Sequence, residues 1–126
     1  MYLKLKDLLY YFEGAFENEP CFLNLFDYQV YSKEEKCRLI NTEICHVDDF
    51  LQIPRKDFDE IVVKFLLEKN NVSLLRKKEE KDFYRKFHWY TEDNHLVNDW
   101  RDFEEAELIA FASEWCDQNQ IKFTVK

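Results

Sequence analysis

The stretch KDFYRKFHWY, residues 81–90, sets Phe83, Tyr84, Phe87, Trp89 and Tyr90 among Lys81, Arg85, Lys86 and His88. Rings interleaved with cations can stack unpaired bases, whereas rings at helical spacing form the buried face of a helix. Phe83, Phe87 and Tyr90 fall on one helical stripe, and Tyr84 and Trp89 lie toward its flanks. Extended backwards through Glu79, Leu75 and Val72, the stripe predicts one long helix over 72–90. The stretch therefore reads as core, and Tyr84, Arg85, Lys86 and Trp89 remain as candidate nucleic-acid contacts.

Outward from this helix the same periodicity repeats. Phe58, Ile61, Val62, Phe65 and Leu66 predict a helix over 55–69, with Asp57, Asp59 and Glu60 at the end where the helix dipole favours acids. The segment TEDN interrupts, after which Leu96, Trp100, Phe103, Leu108, Phe111, Ala112 and Trp115 predict a helix over 95–118. Trp100, Phe103, Phe111 and Trp115 are its expected core residues. Leu3, Leu5, Leu8, Leu9, Phe12 and Phe16 predict an amphipathic helix over 4–16. Period-two alternation in CFLNLF and YQVY predicts a hairpin over 21–26 and 28–32, turning at Asp27. Ser32 three residues before Glu35 is a capping-box pattern that starts a short helix or turn near 33–38. FLQIP supplies a further strand ending at Pro54, and IKFTV a last one over 121–125. The expected fold is a single α+β domain, 1–126, with a small antiparallel sheet packed against about four helices.

Composition narrows the function classes. The chain of 126 residues carries a net charge of −8 with 17% aromatic and 35% charged residues, one Gly and two Pro, the balance of a folded domain rather than a disordered chain. That charge repels nucleic acid and acidic membrane surfaces and favours a basic partner. The first stretch is interrupted by Lys4, Lys6 and Asp7, so it reads as neither signal peptide nor membrane span. Cys21, Cys37, Cys45 and Cys116 form no C-x-x-C pair and read as reduced thiols of a cytoplasmic protein.

Few residues suggest chemistry. His88, Glu92, His95 and Asp99 step by four, three and four, which on an unbroken helix would share a face, but a di-iron arrangement needs two E-x-x-H motifs and one is present. Cys45-His46 beside Asp48 and Asp49 offers a thiol and a base, yet adjacent side chains on a strand point to opposite faces. Gly14 is the single glycine, so no Gly-rich phosphate loop exists. No catalytic residue, metal or cofactor is assigned.

Tyr84-Arg85-Lys86-Phe87, Trp100 to Phe103, Ala112 to Trp115 and Asn119 to Ile121 occur in the order of four short motifs: aromatic-Arg-basic-Phe, Trp-x-x-Phe, Ala-x-Glu-Trp and Asn-x-Ile. Together with the hairpin and FLQIP, they make the chain from about 21 to 123 resemble an uncharacterised family of small acidic bacterial proteins. That family has glycines in the hairpin turn and before the aromatic-Arg motif, where this chain has Asp27-Tyr28 and Asp82-Phe83. The resemblance implies an α+β fold and brings no established activity.

Charge then suggests the surface. Residues 76–86 are rich in Lys and Arg, and 92–107 holds Glu92, Asp93, Asp99, Asp102, Glu104, Glu105 and Glu107 against Arg101 alone. Antiparallel packing of the two helices would let these runs neutralise each other. The leading expectation is a non-catalytic, cytoplasmic interaction or regulatory protein, of the immunity or inhibitor kind. Its acidic face, Glu92, Asp99, Asp102 and Glu105, would meet a partner with a basic surface. The alternative is nucleic-acid binding through Tyr84, Arg85, Lys86 and Trp89.

Overall fold

Long-range pairing overrides local periodicity at the N-terminus of the computed structural model, which describes residues 2–13 and 20–125. Instead of entering a helix at residue 4, the chain forms a short strand, β1 (Leu3–Lys4), a 3₁₀ turn (Leu5–Leu8) and one turn of helix, α1 (Leu9–Phe12). Leu3, Leu5, Leu8 and Phe12 are all buried, so the apolar spacing served burial without requiring a continuous helix. Residues 14–16 of the expected helix lie outside the described residues.

The hairpin forms with a longer turn than expected. β2 (Cys21–Asn24) pairs antiparallel with β3 (Val30–Ser32), setting Phe22 opposite Tyr31. The loop replaces a tight turn at Asp27, because buried Asn24 uses its Oδ1 to accept the N–H groups of Phe26 at 2.8 Å and Asp27 at 3.3 Å. Tyr28, at φ 56°, takes the left-handed conformation that glycine usually supplies. Ser32 then closes the capping box: its Oγ accepts from the Glu35 N–H at 3.2 Å, and the Glu35 carboxylate accepts from the Ser32 N–H at 3.0 Å. So capped, α2 (Lys33–Asn41) runs past the expected end at 38. A 3₁₀ turn (Val47–Asp49) leads into β4 (Phe50–Gln52), which pairs with the other edge of β2 to give the order β3-β2-β4.

α3 (Phe58–Glu68) starts at an Asp57 cap and buries Ile61, Val62, Phe65 and Leu66, the stripe read from the sequence. The single helix expected over 72–90 is two: α4 (Val72–Leu75) ends, residues 76–81 turn, and α5 (Phe83–Asp93) begins. Arg76 to Lys81 contribute no apolar side chain, and without a face to bury a helix has little to hold it. After α5, His95 at φ 57° turns the chain into α6 (Val97–Gln118). β5 (Phe123–Thr124) pairs in parallel with β1 and does not join the antiparallel sheet, which corrects its expected place.

Two apolar clusters result. Among the described residues, one gathers β1, α1, the sheet, the C-terminal half of α6 and Ile61 of α3; the other gathers α4, α5 and the rest of the α3 stripe. Trp100 and Phe103 pack against both, and Phe65 meets their rings at 5.3 and 5.4 Å. The four expected aromatics of α6 are partly buried, while Leu108, Ala112 and Cys116 are the residues it buries fully. The architecture is α+β.

Candidate partner-binding surfaces

Glu92 and the other three acids of the expected face do not share one helix. Glu92 sits on α5, where its Oε1 is 3.2 Å from His88 Nε2, and Asp99, Asp102 and Glu105 occupy successive turns of α6 beyond the bend at His95. All four are exposed. Among the described residues no ion pair joins the basic run of 76–86 to these acids. Instead Asp99 meets Lys69 at 3.5 Å, Glu105 meets Lys6 at 3.4 Å and Glu107 meets Lys64 at 3.0 Å, so the counter-charges come from α3, its end and the N-terminal 3₁₀ turn. Asp102 has no cation partner among the described residues. Exposed pairs of this kind are weak and screened by salt, so they leave much of the negative potential of α6 in place.

Two cations of the basic stretch are paired within it. Lys86 Nζ lies 2.7 Å from Glu80 and 3.4 Å from Asp82, and Arg85 lies 3.7 Å from Asp82 with its guanidinium 5.3 Å from the centre of the Trp89 ring. Hydrogen bonding to Glu80 raises the Lys86 pKa. Tyr84 and Trp89 are 48% and 51% exposed, but Tyr84 leans on Phe58 at 5.7 Å and one side of Trp89 already carries Arg85. Their neighbour Phe87 belongs to the core, with its ring 4.9 Å from that of Trp100. A shallow groove of ≈ 430 Å³ beside Trp89 is lined by Asn71, Lys77, Lys86, Tyr90 and Asp93 among others.

The residues with chemical potential stay apart. The bend at His95 separates His88 and Glu92 from Asp99, and no group of three or more His, Cys, Asp or Glu among the described residues is placed to hold a metal. Cys45 Sγ accepts a long hydrogen bond, 3.8 Å, from Asn24 Nδ2, while the His46 backbone N–H donates to Asp49 Oδ2 at 2.7 Å. Burial pushes the Cys116 thiol up to about 11, in keeping with its place inside the core.

One electrostatic feature escaped the sequence reading. Half-buried Glu104 on α6 has its carboxyl raised above the ordinary 4.5, first by burial and then by the negative charge of Glu13. Burial raises Glu13 as well. These carboxyls are distant in the chain, so no local spacing could have announced them. No helix among the described residues is long and apolar enough to cross a membrane. No protein-family model, curated protein or solved structure matches the chain.

Proposed function

We propose that this chain is a non-catalytic interaction or regulatory protein of the bacterial cytoplasm, of the immunity or inhibitor kind, whose acidic α6 face meets a basic partner. The observation that carries this reading is the distribution of charge. α6 bears Asp99, Asp102, Glu104, Glu105, Glu107, Glu114 and Asp117 against Arg101 alone, and the cations touching it come singly from other elements. A surface of one sign speeds encounter with an oppositely charged partner and selects against like-charged ones. Glu92 extends this surface from the end of α5.

Reversing Asp99, Asp102 and Glu105 to Lys tests the reading, with an Asn/Asn/Gln variant as the neutral control. Both variants should fold, because the lost pairs are exposed and worth about 0–1 kcal/mol each. Proteins retained from the native host should disappear with the reversal and weaken with the neutral variant. An identical retained set would refute the acidic face.

The half-exposed Trp89 beside its groove supports nucleic acid as the second reading, with bases on the rings and phosphates on Lys77, Arg85 and Lys86. Phosphates would first have to displace Glu80 and Asp82. Retention of single-stranded DNA or RNA at low salt, lost steeply as salt rises, would favour it over the acidic face.

A further inference from the structure

Phe26 lies well before Ile44 and Val47, which share one loop, and each leaves most of its side chain in water: 73%, 71% and 60% exposed. Single exposed apolar residues are ordinary. Here, hydrogen bonds from the Asn24 side chain and the backbone bring their segments to one end of the antiparallel sheet. The Phe26 N–H donates to Asn24 Oδ1, the Leu25 N–H donates to the Asp49 carbonyl at 2.8 Å, and Asn24 Nδ2 reaches Cys45 Sγ, between Ile44 and His46. The Ile44 and Cys45 N–H groups both donate to the Leu39 carbonyl, at 3.0 and 3.1 Å, which anchors this loop to α2. The apolar residues thus sit on pinned loops, a surface that loses little freedom on binding.

Their neighbours are acidic. Asp27 follows Phe26, Glu43 precedes Ile44 and Asp48 follows Val47. Asp27 accepts from the Tyr31 hydroxyl at 2.6 Å, which pushes that phenol up to about 12 and leaves the carboxylate charge uncancelled. Glu43 and Asp48 have no cation partner among the described residues. On the adjoining α2, Lys36 is held over the Phe22 ring at 4.0 Å, and Arg38 pairs with none of these acids.

We propose that this end of the sheet is a docking site for a segment of another protein that presents apolar side chains flanked by Lys or Arg. Charge selects that occupant. A second copy would bring identical acidic rims together between chains of net charge −8, and an anionic lipid surface would be repelled in the same way. A basic and apolar segment satisfies both parts of the surface, its side chains covering Phe26, Ile44 and Val47 while its cations face Asp27, Glu43 and Asp48. The site lies on different elements from the α6 face and stands or falls separately from it.

A displayed library of random dodecapeptides, selected on the whole chain, supplies the probe. Enriched peptides should carry apolar residues flanked by Lys or Arg. Phe26→Ser and Ile44→Ser should each weaken their binding by about tenfold, as truncation of a central apolar contact does. The α6 reversal should leave that loss out. Circular dichroism checks that the serine variants fold, and Val47→Ser replaces either one that does not. The proposal is overturned by failure to enrich any peptide, by enrichment of peptides without cations, or by equal binding to wild type and serine variants. A dimer in sedimentation that Ile44→Ser dissociates would also overturn it, by giving the surface to a second copy.

Discussion

Replacing Asn24 by Ala removes the residue that shapes the β2-β3 loop. Its Oδ1 takes the N–H groups of Phe26 and Asp27, and its amide reaches Cys45, all from a side chain only 3% exposed. A hydrogen bond contributes about 0.5–1.5 kcal/mol net, and a buried group left without a partner costs about 1–3 kcal/mol. The Phe26 end of the loop is open to water, so part of that cost is recovered by hydration. The expected loss is about 2 kcal/mol, which at an ordinary denaturant slope moves the urea midpoint down by about 1 M. Urea unfolding followed by the fluorescence of Trp100 and Trp115 reads it, and amide exchange should accelerate at Phe26 and Asp27. Asn24→Leu separates polar loss from lost volume: it refills the space and restores no acceptor, so it should be no more stable than the alanine variant. Recovery by leucine to within about 0.5 kcal/mol of wild type would refute the hydrogen-bonding account.

Phe65→Ala should cost about 3–5 kcal/mol, the range for deleting a buried ring, because Phe65 is 1% exposed and touches Phe87, Trp100 and Phe103. Chemical denaturation checks it, and a loss under about 1 kcal/mol would show that the two clusters do not meet through this residue. Glu104→Gln should stabilise at neutral pH. A carboxyl whose folded pKa is raised is favoured when protonated, so the penalty for ionising it is absent well below the ordinary 4.5 and grows as pH rises through the elevated folded value. Urea midpoints of wild type and variant should coincide near about pH 3.5 and separate toward about pH 7, with the variant above; parallel curves would contradict the buried-carboxyl assignment.

Local sequence was sufficient where an element's own residues determine its ends and its buried face. The Ser32–Glu35 cap, the α3 stripe and the antiparallel hairpin, though not the length of its turn, follow from neighbours within a few residues, through capping bonds and periodicity. Tertiary structure decided the rest because its causes are distant in the chain. Leu3 becomes a strand since its N–H finds the Lys122 carbonyl at 2.9 Å. The division of the 72–90 helix, by contrast, has a local cause that the stripe reading passed over: Arg76 to Lys81 carry no apolar side chain. The cations that touch α6, Lys6, Lys64 and Lys69, could not be matched to Glu105, Glu107 and Asp99 without the packing of α1, α3 and α6. Likewise Phe26 comes to the same end of the sheet as Ile44 and Val47 because Asn24 and the Asp49 carbonyl tie the two loops together. Periodicity records which side of a segment avoids water; which other segment it meets depends on contacts made after the chain has closed its long loops.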